Sequence, residues 1–253
     1  MGAAGRVLGA ASVVGAASLA SWLVGRARVE KHVGAYAEHW LEPVDVEQGD
    51  AVVMVALGHS AVQGVGASVV DNGYVPVLAR RLAATTGREV RVINLSISGA
   101  VSEDVVEHQL PKLAALPVTP DLVLLDIGAN DVVFPGHTLD SFTASMRRIL
   151  SALPPGSFVA DVPWISLLHW GGPSRRFAER SRELAREYGH HAVLLHEPSR
   201  ALGLVAYRRH IASDLFHPND RGYAGFAEAF WEVLESTGKV DELRAGAPER
   251  SAP

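Results

Sequence analysis

The chain has 253 residues, with 28 acidic and 23 basic side chains and a formal net charge of −5. At 48% hydrophobic and 20% charged residues it has the composition of a packed globular protein, not of a disordered chain, which lacks the apolar surface to offset ordering entropy. The acidic balance argues against a nucleic-acid partner, since no basic excess is available to neutralise phosphates. With no cysteine, disulfides, thiolate chemistry and Cys-ligated zinc are excluded.

Residues 7–24 form a run of 18 without a charge. As a helix they would span about 27 Å, just short of a hydrocarbon core. Three readings compete. A cleaved signal peptide would use a site such as Ser18-Leu19-Ala20. A retained anchor would place Trp22 near the interface, with Arg26, Arg28 and Lys31 beyond it. The third reading is an Ala-rich helix lying on the domain. Residues 1–26 are therefore set apart as an apolar segment, anchor or signal. They imply a protein that is membrane-associated through residues 7–24 or exported, with the side of the membrane left open.

Residues 27–49 read as a connecting segment, mixed in charge and ending at Pro43 and Gly49. A regular alternation then fills 50–237, and the tail, 238–253, is polar. Residues 51–57 (AVVMVAL) are a short apolar run suited to a strand buried on both faces. Helical spacing over 74–86 stops at Gly87, a C-cap. A second strand follows over 90–95. A helix over 102–116 takes Ser102 as N-cap and is kinked by Pro111. The third strand is 121–127 (DLVLLDI), and the next helix, 139–153, closes at Pro154-Pro155. Strands over 157–162 and 192–196 flank a charged amphipathic helix over 173–188, and a last helix covers 219–236. Strands alternating with helices mean βαβ units and a parallel five-stranded sheet with helices on both faces.

In such sheets the ligand site lies off the carboxyl ends of the strands. After strand one comes Gly58-His59-Ser60, then Gly64-Val65-Gly66. After strand two comes 94–100 (NLSISGA). After strand three comes Gly128-Ala129-Asn130-Asp131, and before the last helix Asp214-Leu215-Phe216-His217-Pro218. Each alone has a bland reading. A serine after a strand is usually turn chemistry, as is Asn-Asp. Gly99 can simply supply a positive φ, and Asp214 with His217 can be a capping arrangement. Four such motifs on one sheet edge are a stronger signal than any one of them.

Together these blocks resemble the SGNH/GDSL hydrolases, a family of esterases, lipases and carbohydrate deacetylases, over roughly 50–237. Residues 56–67 look like the block that carries the family's nucleophilic serine, here Ser60. The glycine of the second block maps on Gly99, and the Asn of the third, Gly-x-Asn-Asp, on Asn130. The last block, Asp-x-x-His, maps on Asp214 and His217. The resemblance implies a three-layer α/β/α, flavodoxin-like fold and a cofactor-free serine esterase. One departure is plain: the family's first block reads Gly-Asp-Ser, and here His59 replaces the Asp.

The chemistry fits those positions. A serine hydroxyl is a weak nucleophile at neutral pH unless a base takes its proton, and an imidazole titrates near the working pH. Asp214, three residues before His217, can hold the ring in the required tautomer. The oxyanion of a tetrahedral intermediate needs fixed donors, for which the candidates are the backbone N–H groups of Ser60 and Gly99 and the Asn130 amide. The serine is not on a Gly-x-Ser-x-Gly elbow, because position 62 is Val. The histidines at 190, 191 and 196, with Glu197, lie around a strand that points 191 and 196 to opposite faces, so no metal is expected. Gly64-x-Gly66 lacks the third glycine of a dinucleotide loop and the Lys of a P-loop. Trp164, Ile165, Leu167, Leu168 and Trp170 are core residues, the wall of an acyl pocket or a membrane-facing lip.

The expected activity is hydrolysis of acyl esters of a small molecule, lipid or sugar through an acyl-serine. Alternatives are acyl transfer at the same site, or a silent binding module of the same fold. His59 is expected to point away from Ser60 and to hold the loop less firmly than a carboxylate would, so that His59→Asp keeps or raises kcat/KM.

Overall fold

The computed structural model describes residues 23–42, 44, 50–166 and 171–246. Five parallel strands form one sheet in the order β2-β1-β3-β4-β5. They are β1 (Val52–Gly58), β2 (Val90–Asn94), β3 (Leu122–Asp126), β4 (Phe158–Ala160) and β5 (His191–Val193). The order reverses at β1, so the crevice beyond the carboxyl ends of β1 and β3 is the expected ligand position. Every residue of β1 and β3 is buried, as the continuous apolar runs require.

Side chains of β1 alternate between two cores. Val52, Met54 and Ala56 join the core beneath helices α2 (Tyr74–Thr86), α10 (Asp220–Ser236) and α11 (Lys239–Ala245). Val53, Val55 and Leu57 join the core beneath α6 (Leu139–Ala152) and α7 (Gly171–Glu187). This is the period of two, with helices on both faces. On the first face the Tyr74 ring stacks on Phe230 with centroids 5.2 Å apart, locking α2 to α10. The helix expected over 102–116 is present without a gap from Ser102 to Ala114, but its middle is a π turn (Val105–Gln109) between α3 (Ser102–Asp104) and α4 (Leu110–Ala114). Pro111 has no N–H to close a regular turn. Ser102 is not the N-cap but the first helical residue; the cap is Val101, whose N–H is taken by Asp104 Oδ2 at 2.8 Å.

Three further differences bear on the site. The segment expected to connect is helical over 23–39 (α1). It buries Val29 and Tyr36 against Val65, and its side chains bond to the loop after β1: Tyr36 Oη to Ala67 O (2.9 Å) and Trp40 Nε1 to Gln63 O (3.1 Å). The expected fifth strand ends early, because the Asp161 carboxylate accepts the N–H groups of Leu195 (2.7 Å) and His196 (2.8 Å) and turns the chain into α8 (His196–Ala201) and α9 (Gly203–Tyr207). The start of the expected polar tail is α11, which buries Val240 and Leu243. A short helix α5 (Ala129–Val133) carries the third motif. The signal or anchor reading of residues 7–24 lies almost wholly outside the described residues. Among the described residues no helix is long and apolar enough to cross a membrane.

Candidate active site

Ser60 follows the last residues of β1 and is almost fully buried. Gly58, the final residue of that strand, is gripped from both sides by one side chain of the π turn. Gln109 Oε1 accepts its N–H and Gln109 Nε2 donates to its carbonyl, each at 2.8 Å. Gln63 fixes the second loop against the first: its Nε2 donates to Ser96 O (2.8 Å), and its Oε1 accepts from Ser98 Oγ (2.6 Å). Asp131 fixes the second loop to the third by accepting Ser102 Oγ (2.5 Å) and Ser102 N–H (3.0 Å).

The fourth loop brings its side chains to the serine. Ser60 Oγ lies 2.8 Å from His217 Nε2, and His217 Nδ1 lies 2.5 Å from Asp214 Oδ2. The other Asp214 oxygen accepts the N–H groups of Phe216 (3.0 Å) and His217 (3.1 Å). The carboxylate thus caps its own turn and also contacts the ring, so the capping role leaves room for the catalytic one. Burial alone would raise Asp214, but the hydrogen bond and charge of His217 and the two backbone donors outweigh it and leave the carboxyl below its ordinary value. Between the pair, Leu215 is held at φ 64, the one positive-φ residue other than glycine among the described residues. Such backbone costs on the order of 1 kcal/mol and persists only where its surroundings fix it. Gly66 allows the two loops to meet. At φ 102 a Cβ there would lie 2.4 Å from Pro218 O and 2.7 Å from His217 Cβ.

The backbone N–H groups of Ser60 and Gly99 donate to no protein acceptor among the described residues. Asn130 is buried and spends one amide hydrogen on Ala100 O at 2.8 Å, leaving the other free to serve an oxyanion.

His59 turns its ring nitrogens to the loop backbone and Asp126, not to the Ser60 hydroxyl. Its Nδ1 accepts the Ala61 N–H at 3.1 Å, so the imidazole holds the loop as a carboxylate oxygen would. Its Nε2 faces Asp126 Oδ1 at 3.7 Å, beyond hydrogen-bond reach. Both groups are buried. Burial, then the charge of His217, lowers His59 to about 3. Burial, then the charge of Asp161, raises Asp126 to about 7, with the Tyr74 hydroxyl pulling the other way. The structure adds a consequence for His59→Asp that bears on stability: a carboxylate at 59 would face a second buried acid with no cation between them. Asp126 was read only as part of a strand, and nothing in the spacing ties it to residue 59.

A cavity of about 170 Å³ opens beside Ser60 and His217. Its walls include Trp164, Ile165, Leu195, Ile211, Phe216 and Phe226, so Trp164 and Ile165 do form a pocket wall; Leu167, Leu168 and Trp170 lie outside the described residues. His190 and His196 are engaged separately, on Leu150 O (2.9 Å) and Val162 O (3.1 Å).

Residues 56–224 match the model of the GDSL-like lipase/acylhydrolase family. The chain belongs to this family. Membership makes it an ester-hydrolysing enzyme. Among solved structures, this GDSL hydrolase shares its fold with esterases and lipases, of which three serve as examples. The acetylxylan esterase Axe2 of Geobacillus stearothermophilus has a TM-score of 0.59 and 21% identity, over 72% of this chain and 94% of that one. The lipase/acylhydrolase of Enterococcus faecalis gives 0.60 and 17%, over 79% and 100%. The psychrotrophic esterase EstA of a Pseudoalteromonas species gives 0.57 and 18%, over 73% and 97%. No match was found among curated protein sequences.

Proposed function

We propose that this GDSL hydrolase cleaves esters of apolar acyl groups through an acyl-serine intermediate. Asp214 keeps the proton of His217 on Nδ1, so Nε2 accepts the proton of Ser60 as Oγ attacks the ester carbonyl. The oxyanion is held by the N–H groups of Ser60 and Gly99 and the remaining amide hydrogen of Asn130. Collapse of the intermediate expels the alcohol, which takes the proton back from His217. Water then repeats the sequence and releases the acid.

The observation that carries this reading is the continuous Ser60–His217–Asp214 hydrogen-bond chain at 2.8 and 2.5 Å. The apolar walls beside it favour a hydrocarbon acyl group over a sugar ring, which would need several convergent polar groups. The related esterase EstA is inhibited by monoethylphosphonate, a reagent class that couples to an activated serine. Residues 7–24, followed by Arg26, Arg28 and Lys31, we read as a membrane address, anchor or signal.

A chain-length series of p-nitrophenyl esters, with Ser60→Ala as control, tests the proposal. The expected result is kcat/KM rising from acetate to a longer acyl group, and a fluorophosphonate probe that labels the wild type and not Ser60→Ala. A Ser60→Ala enzyme that keeps most of its turnover removes the assignment.

A further inference from the structure

The cavity does not end at a polar rim. Two of its lining residues, Leu194 and Leu202, are themselves exposed. From Leu202 the apolar surface continues outward onto α9, where Leu204 is 63% and Val205 76% exposed. Every residue over 200–205 is exposed, so this turn stands proud of the domain. Water gains nothing from such a tip, and an exposed apolar patch beside a ligand cavity is a feature of surfaces that meet another apolar phase. The tip is bracketed by exposed cations: Arg200 before it, Arg208 and Arg209 after it, against a single exposed acid, Glu197. Apolar side chains ringed by arginines complement a bilayer of anionic lipids.

The start of the described chain lies on the same side. Gly25 of α1 backs directly onto Ser213, beside Asp214, and accepts a bond from Ser213 Oγ at 3.1 Å. Arg28 of the same helix shares a groove with Arg209. Leu23 and Val24, where the uncharged stretch 7–24 ends, are exposed there. Chain entering from an apolar stretch, the α9 tip and the cavity mouth therefore all belong to one side of the molecule.

We infer that the α8–α9 tip seats on an anionic lipid bilayer, with Leu202, Leu204 and Val205 in its apolar layer and the flanking arginines at the headgroups, so that the enzyme takes a membrane-resident acyl ester directly into the cavity. The substrate part rests on the esterase reading above; the docking part does not, and the two are tested apart.

Because the natural chain has no cysteine, a single environment-sensitive fluorophore reports one position cleanly. The full chain carrying Val205→Cys, or Ser236→Cys at the far end of α10, is labelled and mixed with vesicles of phosphatidylcholine and phosphatidylglycerol. The label at 205 should shift to the blue, and the label at 236 should not. Arg200→Gln with Arg208→Gln and Arg209→Gln should weaken that shift on these vesicles and leave pure phosphatidylcholine unaffected. Leu204→Glu with Val205→Glu should keep turnover of soluble p-nitrophenyl acetate within about twofold and lower turnover of p-nitrophenyl laurate held in the vesicles by at least tenfold. Equal response at 205 and 236, or a blue shift at 205 that grows with protein concentration without lipid, as a self-association face would give, overturns the inference. Loss of acetate turnover in the wild type would count against the esterase reading alone, since the fluorescence comparison needs no catalysis.

Discussion

At the scale of single residues, the proposed mechanism makes Ser60 and His217 a nucleophile and a base that act as a unit. Ser60→Ala and His217→Ala should each lower kcat by at least about 10³, and the double variant should be scarcely worse than either. Steady-state rates with one soluble ester decide this. His59 and Asp126 form a second buried pair beneath the nucleophile, and their contributions to stability have opposite pH slopes. Asp126, raised to about 7, keeps a proton in the folded state that the unfolded chain releases above about pH 4. Its contribution therefore worsens as pH rises from about 4 to 7 and is constant above. His59, lowered to about 3, stays neutral where the unfolded chain is protonated, so its contribution worsens as pH falls below about 6.5. Asp126→Asn removes only the first slope. Its stability relative to wild type should rise by on the order of 2 kcal/mol between pH 5 and pH 8, measured by urea unfolding at both. His59→Asp should lower stability at pH 8, and adding Asp126→Ser should restore most of the loss. A His59→Asp single variant as stable as wild type would show that the two positions do not interact.

At the scale of elements, the β-strands and long helices were legible because their periods are fixed by burial on two faces or one. Helix α2 runs from Tyr74 to Thr86 and stops at Gly87, as its spacing and cap predict. The motifs at the strand ends were legible because their residue types are set by chemistry. What escaped were features decided by contacts distant in sequence. The π turn exists to aim Gln109 at Gly58 across 51 positions, and Ser102 leaves its capping role for Asp131, 29 positions on. Helix α1 was hidden because its apolar stripe is short and is completed by bonds from Tyr36 and Trp40 to the nucleophile loop. Removal of residues 1–22 should leave turnover of soluble esters intact. Removal of 1–41 should lower Tm by several degrees and reduce kcat, as thermal melts and rates on the two truncations will show. Helix α10 presents Gly222, Gly225, Phe226 and Ala229 to the cavity, one face at helical spacing. A Cβ at Gly225 meets nothing within 4 Å, so Gly225→Leu should be tolerated and should gain about 0.5–1 kcal/mol of helix propensity. It should cut kcat/KM for long acyl esters while sparing acetate; an unchanged chain-length profile would place the acyl group elsewhere.

At the scale of the whole molecule, the crevice where the sheet order reverses collects four loops, and the last of them comes from the far end of the chain. Ser60 and His217 are 157 positions apart, and the helix that follows His217, α10, packs on α2 through Tyr74 and Phe230. That separation makes the enzyme's competence a late event in its own assembly. A growing polypeptide still short of residue 217 carries a hydroxyl with no base to awaken it, so synthesis can proceed beside ester-rich surroundings without stray cleavage. Closing so long a loop is slow relative to local helix formation. On dilution from denaturant, ester turnover should therefore return after the far-ultraviolet circular dichroism has largely recovered, whereas superimposable time courses would mean that the two halves of the chain commit together.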